Sequence, residues 1–358
     1  MSVFEHLGEE FEEVVFLHDP PTGLRAIVAV HSTVLGPGLG GTRCFPFASD
    51  DDALRDVLRL ARAMTYKAAA AGLDLGGGKA VIIGDPRTVK TEPLLRAYGR
   101  FIESLGGRYV TAEDVGTTQA DMDVIRRETR HAGGASESLG GSGDPSILTA
   151  YGVFLAMRAA AQEAWGDGSL DGKRVAVQGV GKVGAGLVSH LVGAGASVVV
   201  ADVDAAAVDR VARSYDVETA DPSAFHTIDC DVFAPCALGA AVNDRTVAEF
   251  RCSVVCGAAN NQLERPEQAN ALANRGILYA PDYVANAGGI TNISEEFRPG
   301  GYDPNRARRS VERIEHTMAR VLEAARERGI TPAQAADDLA EERLQSGARI
   351  RVEESAKQ

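Results

Sequence analysis

The sequence contains little cysteine and no recognisable cluster of metal ligands. Its five cysteines, an odd number, are Cys44, Cys230, Cys236, Cys252 and Cys256. Cys252 and Cys256 flank a short predicted strand, where they would lie about 13 Å apart, too far to form a disulfide. No Cys or His residues have the spacing of zinc ligands. We therefore expect reduced thiols and no metal site.

The chain also lacks an excess of basic residues. It has 37 Lys and Arg against 50 Asp and Glu, which gives a net charge of −13. The densest basic run, at residues 306–309, is followed by Glu312 and Glu315 at helical spacing, which is typical of a solvated helix face. This charge balance argues against nucleic acids and anionic membranes as partners.

Long apolar runs are missing as well, because no stretch approaches the length that spans a bilayer. Residues 1–10 are acidic and do not have the pattern of a signal peptide. Hydrophobic residues make up 45% of the 358-residue chain and charged residues 24%, as in globular proteins with room for two domains. These features together predict a cytoplasmic protein.

The most specific pattern that is present lies between residues 174 and 204. A short apolar run leads into a turn with Gly179, Gly181 and Gly184, then an amphipathic helix and a second apolar strand. Gly179 would permit the tight turn, Gly181 the approach of a pyrophosphate, and Gly184 close packing of helix on strand. Asp202, 23 residues beyond Gly179, is placed to accept both ribose hydroxyls of an adenosine. The sequence predicts a dinucleotide site; the alternative is a Rossmann fold that binds no nucleotide.

Two lysines lie in glycine-rich surroundings, Lys67 near a predicted helix end and Lys79 at a predicted strand start. Residues 76–79 are not a phosphate loop, because Leu73 stands where that motif needs glycine and Ala80 where it needs Ser or Thr. Two ammonium groups close together in a cleft would lower each other's pKa, so one lysine could act as a general base. The alternative is that each is a solvated surface lysine.

Asp114 lies just after a predicted strand. A carboxylate at the carboxyl end of a strand is suited to proton transfer or to contact with an amine. From the sequence alone it is equally able to cap the helix that begins near Thr118. Residues 35–43 read as a glycine-rich loop, and residues 133–143 as a candidate interdomain hinge.

Six segments then carry a resemblance to a known family. They are Leu-Gly-Pro-Gly-Leu-Gly-Gly-Thr-Arg at 35–43, Met-Thr-Tyr-Lys at 64–67, Gly-Gly-Gly-Lys at 76–79, Thr-Ala-Glu-Asp-Val-Gly-Thr at 111–117, Gly-Ala-Ala-Asn-Asn at 257–261 and Asn-Ala-Gly-Gly at 286–289. With them, nearly the whole chain resembles amino-acid dehydrogenases of the Glu/Leu/Phe/Val dehydrogenase family, closest to the leucine/valine branch. The resemblance implies a two-domain α/β fold, with a cleft between an N-terminal catalytic domain and a Rossmann NAD-binding domain.

The expected domain limits follow from this resemblance and from the hinge. We expect the catalytic and substrate domain at residues 1–135 and the NAD-binding domain at 144–325. A C-terminal helix at about 330–358 would pack back on the first domain.

The resemblance also implies roles in substrate binding and catalysis. Lys79 would be the catalytic base, Asp114 would handle the amino group, and Lys67 would bind the α-carboxylate. Leu39 stands where glutamate-specific relatives carry a lysine and phenylalanine-specific relatives tend to have a smaller residue, so a compact apolar pocket is expected. The other implied substrate contacts are Gly40, Met64, Ala112, Asn261, Ile290 and Ile293.

For the cofactor, NAD, the resemblance implies a set of contacts in the second domain. Cys236 would contribute its backbone rather than act as a nucleophile, and the division of roles between Asn260 and Asn261 is open. The implied cofactor contacts are Thr149, Gly179, Gly181, Lys182, Val183, Gly184, Asp202, Pro235, Cys236, Ala237, Ala258 and Asn260.

The implied reaction is the reversible, NAD-dependent oxidative deamination of valine, leucine or isoleucine to the 2-oxo acid and ammonia, in a homo-oligomer of unspecified size. The alternative within the same family is a dehydrogenase of phenylalanine or of another L-amino acid. A hydroxy-acid dehydrogenase would typically use a His–carboxylate pair, and the seven histidines lie in no such motif. A non-catalytic nucleotide sensor should lack part of the catalytic set, whereas Lys67, Lys79 and Asp114 are all present.

Overall fold

The computed structural model describes residues 10–355, with the backbone alone for residues 350–355. The acidic start of the chain, up to residue 9, and the last three residues of the expected C-terminal helix lie outside the described residues. The chain divides into two compact units. The first takes in the described residues up to Asp144, Ile293–Pro304 and the part from Ala340 onward; the second comprises Pro145–Asn292 and Asn305–Leu339.

The first unit contains a five-stranded mixed sheet. Strand β1 pairs antiparallel with β2 and β2 antiparallel with β4, whereas β3 lies parallel to both β4 and β5. The order across the sheet is β1-β2-β4-β3-β5. The strands are β1 (Glu13–Asp19), β2 (Leu24–Ser32), β3 (Gly38–Phe45), β4 (Gly76–Ile83) and β5 (Tyr109–Glu113).

Helices of the first unit begin where the sequence offers capping residues. Ser49 caps the helix at Asp50–Ala70 (α1), because its side chain accepts a hydrogen bond from the Asp52 backbone N–H. Three acidic residues in the first turn suit the helix dipole. Thr118 and Asp121 form a capping box at α4. The four helices are α1 (Asp50–Ala70), α2 (Pro86–Val89), α3 (Glu92–Ser104) and α4 (Gln119–Ile125).

The prediction of a loop at residues 35–43 is wrong, because β3 runs through most of this segment. The glycines are there for close approach. A Cβ at Gly40 would lie 1.8 Å from the carbonyl oxygen of Gly78, and a Cβ at Gly77 would lie 2.1 Å from the backbone nitrogen of Thr65 on α1. Glycine therefore lets β3, β4 and α1 pack more closely than side chains would allow. For the same reason β4 starts earlier than predicted, and Lys79 lies inside the strand rather than at its start.

The second unit contains a six-stranded, all-parallel sheet. Its order is β11-β10-β9-β6-β7-β8, in which the chain reverses direction across the sheet between β6 and β9. This is a doubly wound arrangement, and such sheets bind ligands at the carboxyl ends of the strands beside the reversal point. The strands are β6 (Arg174–Gln178), β7 (Ser197–Ala201), β8 (Glu218–Thr219), β9 (Val232–Pro235), β10 (Val254–Val255) and β11 (Leu278–Tyr279).

Helices cover this sheet and bury the aromatic cluster of Phe225, Phe233 and Phe250. Three of the helices after Asp144 each contain a boundary between the two units. They are α11 (Gly288–Ser294), α12 (Pro304–Arg328) and α13 (Pro332–Ser355). The helices that precede them in this part of the chain are α5 (Ser146–Trp165), α6 (Lys182–Gly193), α7 (Ala205–Ser214), α8 (Asp244–Glu249), α9 (Glu267–Asn274) and α10 (Asp282–Ala285). None of the helices within residues 10–355 is long and apolar enough to cross a membrane.

The C-terminal helix α13 supplies a cap to α1. Arg343 donates hydrogen bonds to the carbonyl oxygens of Ala68, Ala69 and Leu73, the closest at 2.7 Å. These carbonyls belong to the last turn of α1 and the residues after it, and those of Ala68 and Ala69 also accept the backbone N–H groups of Leu73 and Gly72. A guanidinium is well suited to this position because it also complements the negative end of the helix dipole.

Residues 133–143 are held by one buried carboxylate. Oε1 of Glu296 accepts hydrogen bonds from the backbone N–H groups of Gly134 (2.8 Å) and Ser142 (2.9 Å). Oε2 accepts one from Arg126 at 2.9 Å, and the Glu296 side chain is 1% exposed. Both ends of this glycine-rich segment are therefore tied to the first unit, which also contains Glu296.

We expect Glu296→Ala to destabilise the first unit strongly. The substitution leaves Arg126 and two buried N–H groups without their partner, a loss that costs about 3–5 kcal/mol and should lower the melting temperature by roughly 10 °C. Differential scanning fluorimetry measures this effect. Arg87→Ala breaks an exposed ion pair with Asp85 and should leave the melting temperature almost unchanged. Equal melting temperatures for Glu296→Ala and the parent chain would contradict the anchoring role.

Candidate active site

The site in the first unit is built around Lys79. Lys79 is 5% exposed and lies in β4. On the neighbouring strand β2, its register partner is Ala29. The ammonium nitrogen Nζ lies 3.1 Å from Oδ2 of Asp114. The structure therefore brings together the two residues that the resemblance names as catalytic, on β4 and just after β5.

Asp114 is held in place by the turn that follows β5. Its backbone N–H donates to the hydroxyl of Thr117 at 2.9 Å, and that hydroxyl also lies 2.9 Å from the carbonyl oxygen of Thr42 on β3. The alternative role for Asp114, as the cap of the next helix, is taken by Thr118. The Asp114 carboxylate is thus available for the site.

Arg43 is a member of the site that the sequence reasoning missed. Its Nε lies 3.1 Å from Oδ2 of Asp114, the same oxygen that Lys79 contacts. Its NH1 lies 2.8 Å from Oδ2 of Asp56 on α1. Arg43 is the last residue of the segment at 35–43 that carries part of the family resemblance, so the sequence did draw attention to its position. Nothing in the sequence, by contrast, connected Asp56 with the site.

The electrostatics of the pair favour a lysine that can lose its proton beside an ionised carboxylate. Burial lowers the pKa of Lys79, and Arg43 lowers it further, against the opposing charges of Asp114 and Asp56. Burial opposes ionisation of Asp114, but Lys79 and Arg43 outweigh it and hold its pKa below the ordinary value. The sequence argument expected Lys67 to be the cation that lowers the pKa of Lys79, whereas burial and Arg43 are the leading causes.

One oxygen of Asp114 lies close to two cations. Its Oδ2 lies 3.1 Å from both Nζ of Lys79 and Nε of Arg43. An ionised carboxylate has further lone pairs on its oxygens, so it can accept additional hydrogen bonds.

Most of the predicted substrate-binding residues lie in the same unit. Leu39 is 1% exposed on β3, Gly40 follows it, and Met64 on α1 comes within 3.4 Å of the Cβ position of Gly40. Ala112 on β5 is buried, in the strand that pairs with β3. Lys67 lies in the last turn of α1 and is half-buried.

The other three predicted substrate contacts are divided between the units. Ile293 belongs to the first unit, where its Cγ2 would lie 2.6 Å from a Cβ at Gly133. Ile290 and Asn261 belong to the second unit. Both isoleucines lie on α11 and are 7% exposed.

In the second unit, the predicted turn after β6 is confirmed as a local structure. Gly179 has φ +98°, a conformation that side chains rarely adopt. A Cβ at Gly184 would lie 2.0 Å from the carbonyl oxygen of Gly179, so glycine is required for helix α6 to pack against this turn. The carboxylate of Asp202 accepts hydrogen bonds from the backbone N–H groups of Val180 (2.8 Å) and Asp204 (2.9 Å), which fix it beside the turn.

The N-terminus of α6 is open to a ligand. Gly181 is its N-cap residue and makes no side-chain cap. Apart from its chain neighbours and the helix's own backbone, no described residue has a heavy atom within 4 Å of the Cβ position of Gly181. Lys182 and Val183 form the first turn. A helix N-terminus with this exposure suits a phosphate group, because its N–H groups and dipole favour negative charge.

Two further loops lie at the carboxyl ends of the central strands. After β9, the backbone N–H of Cys236 donates to the carbonyl oxygen of Gln178 on β6 at 2.7 Å. Burial raises the pKa of the Cys236 thiol to about 12, so the thiol is protonated and poorly suited to act as a nucleophile. Ala237 and Pro235 flank it, and Thr149 on α5 donates its hydroxyl hydrogen to the Pro145 carbonyl oxygen at 2.8 Å.

The loop after β10 is rigidly held. Nδ2 of Asn286 lies 3.0 Å from both Oδ1 of Asn260 and the carbonyl oxygen of Ala258. Asn261 has φ +52°, and its carbonyl oxygen accepts the backbone N–H of Ala240 at 2.8 Å. Neither Asn286 nor Ala240 was identified from the sequence as a support for this loop. The Asn260 amide is thereby presented in a fixed orientation.

No group of three or more potential metal ligands occurs in the described part of the chain, and all five cysteines are free.

Comparison with known proteins identifies relatives of both units. Residues 11–131 match the model of the Glu/Leu/Phe/Val dehydrogenase dimerisation domain, and residues 140–211 and 200–350 match that of Glutamate/Leucine/Phenylalanine/Valine dehydrogenase. The chain is 50% identical to leucine dehydrogenase of Thermoactinomyces intermedius over 346 residues, which cover 96% of this chain and 94% of the relative. It is 53% identical to valine dehydrogenase of Streptomyces virginiae over 336 residues, 93% of each protein.

Solved structures show the same two-unit α/β fold. L-tryptophan dehydrogenase from Nostoc punctiforme has a TM-score of 0.83 at 42% identity, with 95% of this chain and 97% of that chain covered. Hetero-hexameric glutamate dehydrogenase from Thermus thermophilus, in a leucine-bound form, has a TM-score of 0.81 at 26% identity, with 95% and 90% covered. The chain therefore belongs to the Glu/Leu/Phe/Val dehydrogenase family and is an amino-acid dehydrogenase.

Proposed function

We propose that the protein catalyses the reversible, NAD-dependent oxidative deamination of branched-chain L-amino acids. In the forward direction, the amino acid, water and NAD⁺ give the 2-oxo acid, ammonium, NADH and a proton. Dehydrogenases of this family generally depend on pyridine nucleotides. The relatives named leucine and valine dehydrogenase support the branched-chain substrate class.

The single observation that carries the proposal is the buried pair of Lys79 and Asp114, with Nζ and Oδ2 3.1 Å apart. Loss of a hydride from Cα converts the substrate amine to an iminium. Neutral Lys79 then takes a proton from water as the water oxygen attacks Cα. The proton that Lys79 has taken passes through Asp114 to the nitrogen of the resulting carbinolamine. The C–N bond then breaks with its electron pair going to ammonia, and Lys79 takes the hydroxyl proton as the C=O bond of the 2-oxo acid forms. Lys67 binds the α-carboxylate throughout.

The second unit fits the cofactor. The exposed helix start at Gly181 and Lys182 would hold the pyrophosphate, and Asp202 the adenosine ribose. The loops that contain Thr149, Cys236 and Asn260 would hold the nicotinamide end. When bound, NAD⁺ supplies the hydride acceptor. We assign catalysis to the first unit and cofactor binding to the second.

The side-chain pocket is proposed to be small and apolar. Leu39, Ala112 and Ile293, all in the first unit, are buried hydrophobic residues. None of them can compensate a buried carboxylate, so glutamate would lose its hydration without gaining a partner. The tryptophan dehydrogenase neighbour makes an aromatic amino acid the second candidate substrate.

We further propose a cytoplasmic homo-oligomer that binds neither nucleic acid nor membranes. The net charge of −13 and the five free cysteines support this assignment. The matching family model for residues 11–131 describes a dimerisation domain, which supports self-association.

We expect Lys79→Ala to lower kcat severely and to leave NAD⁺ binding intact, because Lys79 belongs to the unit that does not hold the cofactor. Loss of a general base typically costs ~10²–10⁴ in rate. Steady-state kinetics give kcat, and NADH fluorescence titration gives binding. Lys67→Ala is the matched comparison and should act mainly on KM. Retention of more than about a tenth of kcat, with the chemical step rate-limiting, would refute the role of Lys79.

We expect Asp202 to reject NADP⁺, because its carboxylate repels the 2′-phosphate and loses its hydroxyl partners. Repulsion of several kcal/mol corresponds to a preference for NAD⁺ of at least ~100-fold in kcat/KM. Asp202→Asn should reduce this preference, whereas Asp204→Asn, two residues away, should leave it unchanged. Equal kcat/KM values for the two cofactors in the parent enzyme would overturn the assignment.

We expect valine, leucine and isoleucine to be better substrates than phenylalanine and glutamate. Assays of kcat/KM with all five amino acids test the pocket, in which one methylene group is worth only ~1–3 kcal/mol. Leu39→Gly should raise the activity on phenylalanine relative to valine, because it opens room for a ring. The pocket assignment fails if phenylalanine or glutamate is the best substrate of the parent enzyme.

A further inference from the structure

A chain of alternating charges leads from Lys79 to the surface of the first unit. Asp114 Oδ2 contacts both Lys79 and Arg43 at 3.1 Å, and Arg43 NH1 contacts Asp56 at 2.8 Å. The Arg43 and Asp56 side chains are 23% and 17% exposed. They line an open groove of about 380 Å³ together with Phe45, Phe47 and Val115. Arg43 and Asp56 thus line a groove that contains none of the predicted substrate contacts.

We propose that Arg43 and Asp56 are positioning residues that set the charge state at which Lys79 works. This inference rests on the proposed role of Lys79 as the general base. Arg43 contacts Oδ2 of Asp114, the oxygen that Lys79 also contacts, and its positive charge discourages protonation of Lys79. Asp56 partly neutralises Arg43 and so limits that effect.

The charged groups near Lys79 come from several elements. Arg43 lies on β3, Asp114 follows β5, and Asp56 lies on α1, the helix that also carries Lys67. Strand β2, which pairs with β4, carries the titratable His31. Burial lowers the pKa of His31, and its Nδ1 lies 2.9 Å from the hydroxyl oxygen of Thr65 on α1. The effects on the pKa of Lys79 agree with the geometry. The largest are burial, which lowers the pKa, and Asp114, which raises it; the smaller effects are those of Arg43, which lowers it, and Asp56, which raises it.

The two outer residues should therefore act in opposite directions. Deamination requires neutral Lys79, so kcat/KM rises as the pH increases through its pKa. Arg43→Gln removes a positive charge and raises that pKa, which moves the acid limb of the pH profile to higher pH. Asp56→Asn removes a negative charge and moves the limb to lower pH. Each shift should be about 0.5–1 pH unit.

Two control variants separate this effect from a loss of structure. Arg59 contacts the other oxygen of Asp56 at 3.0 Å and is 56% exposed. Arg59→Gln should therefore leave the acid limb within about 0.2 pH unit of the parent. Arg43→Lys keeps the positive charge and should keep the limb nearer to the parent position than Arg43→Gln does. A general disturbance of the fold has no reason to produce shifts of opposite sign.

The experiment measures kcat/KM from pH 6 to 11 for the parent enzyme and the four variants, with L-valine and saturating NAD⁺. A second readout needs no turnover: reductive methylation of Lys79 with formaldehyde and borohydride, followed by peptide mass spectrometry, reports the neutral amine at each pH. Opposite shifts for Arg43→Gln and Asp56→Asn in both readouts support the proposal. Shifts in the same direction, or none, overturn it. If the parent enzyme fails to deaminate any branched-chain amino acid, the proposed function fails, and the methylation profile still decides the role of Arg43 and Asp56.

Discussion

A buried ammonium group needs a buried anion, and this requirement organises the first unit. Lys79 lies on β4 and Asp114 follows β5, yet β3 lies between these strands in the sheet. The ion pair must therefore form across an intervening strand. Removing an ammonium from water without a partner costs several kcal/mol, so the strand between the two residues has to permit the contact. Strand β3 satisfies this condition because Gly40 and Gly41, which have no side chains, lie between β4 and β5.

The glycines of β3 and β4 follow from the same constraint. A Cβ at Gly41 would lie 2.8 Å from the Cβ of Asp114 and 2.5 Å from the carbonyl oxygen of Glu113. At Gly40 and Gly77 a side chain would collide with β4 and with α1, respectively. Glycine within a strand normally weakens it, because it adds backbone entropy and packs nothing. Here that cost is offset by the close packing of β3 and β4 and by the contact between Lys79 and Asp114 that it allows.

The sequence allowed a prediction of the features that depend on local geometry. Gly179, Gly184 and Asp202 each have a role that a short motif defines, and the structure shows the expected backbone turn and helix packing. The loop predicted at residues 35–43 was wrong because glycine-rich segments usually indicate turns, and the tertiary packing that makes them a strand has no sequence signature. The contact between Arg43 and Asp56 could not be predicted from the sequence for a related reason. Their pairing joins β3 to α1, and their side chains give no periodic signal.

The four charges of Lys79, Asp114, Arg43 and Asp56 also explain how Lys79 can lose its proton without stranding a buried anion. With Lys79 protonated, two cations face two anions, and the set is neutral. When Lys79 loses its proton, Asp114 still contacts Arg43 at 3.1 Å, so the buried carboxylate is not left without a partner. Breaking a buried pair is costly because it strands one charge, and the second cation removes that cost. The loss of a proton from Lys79 therefore does not leave the carboxylate of Asp114 without a cation beside it.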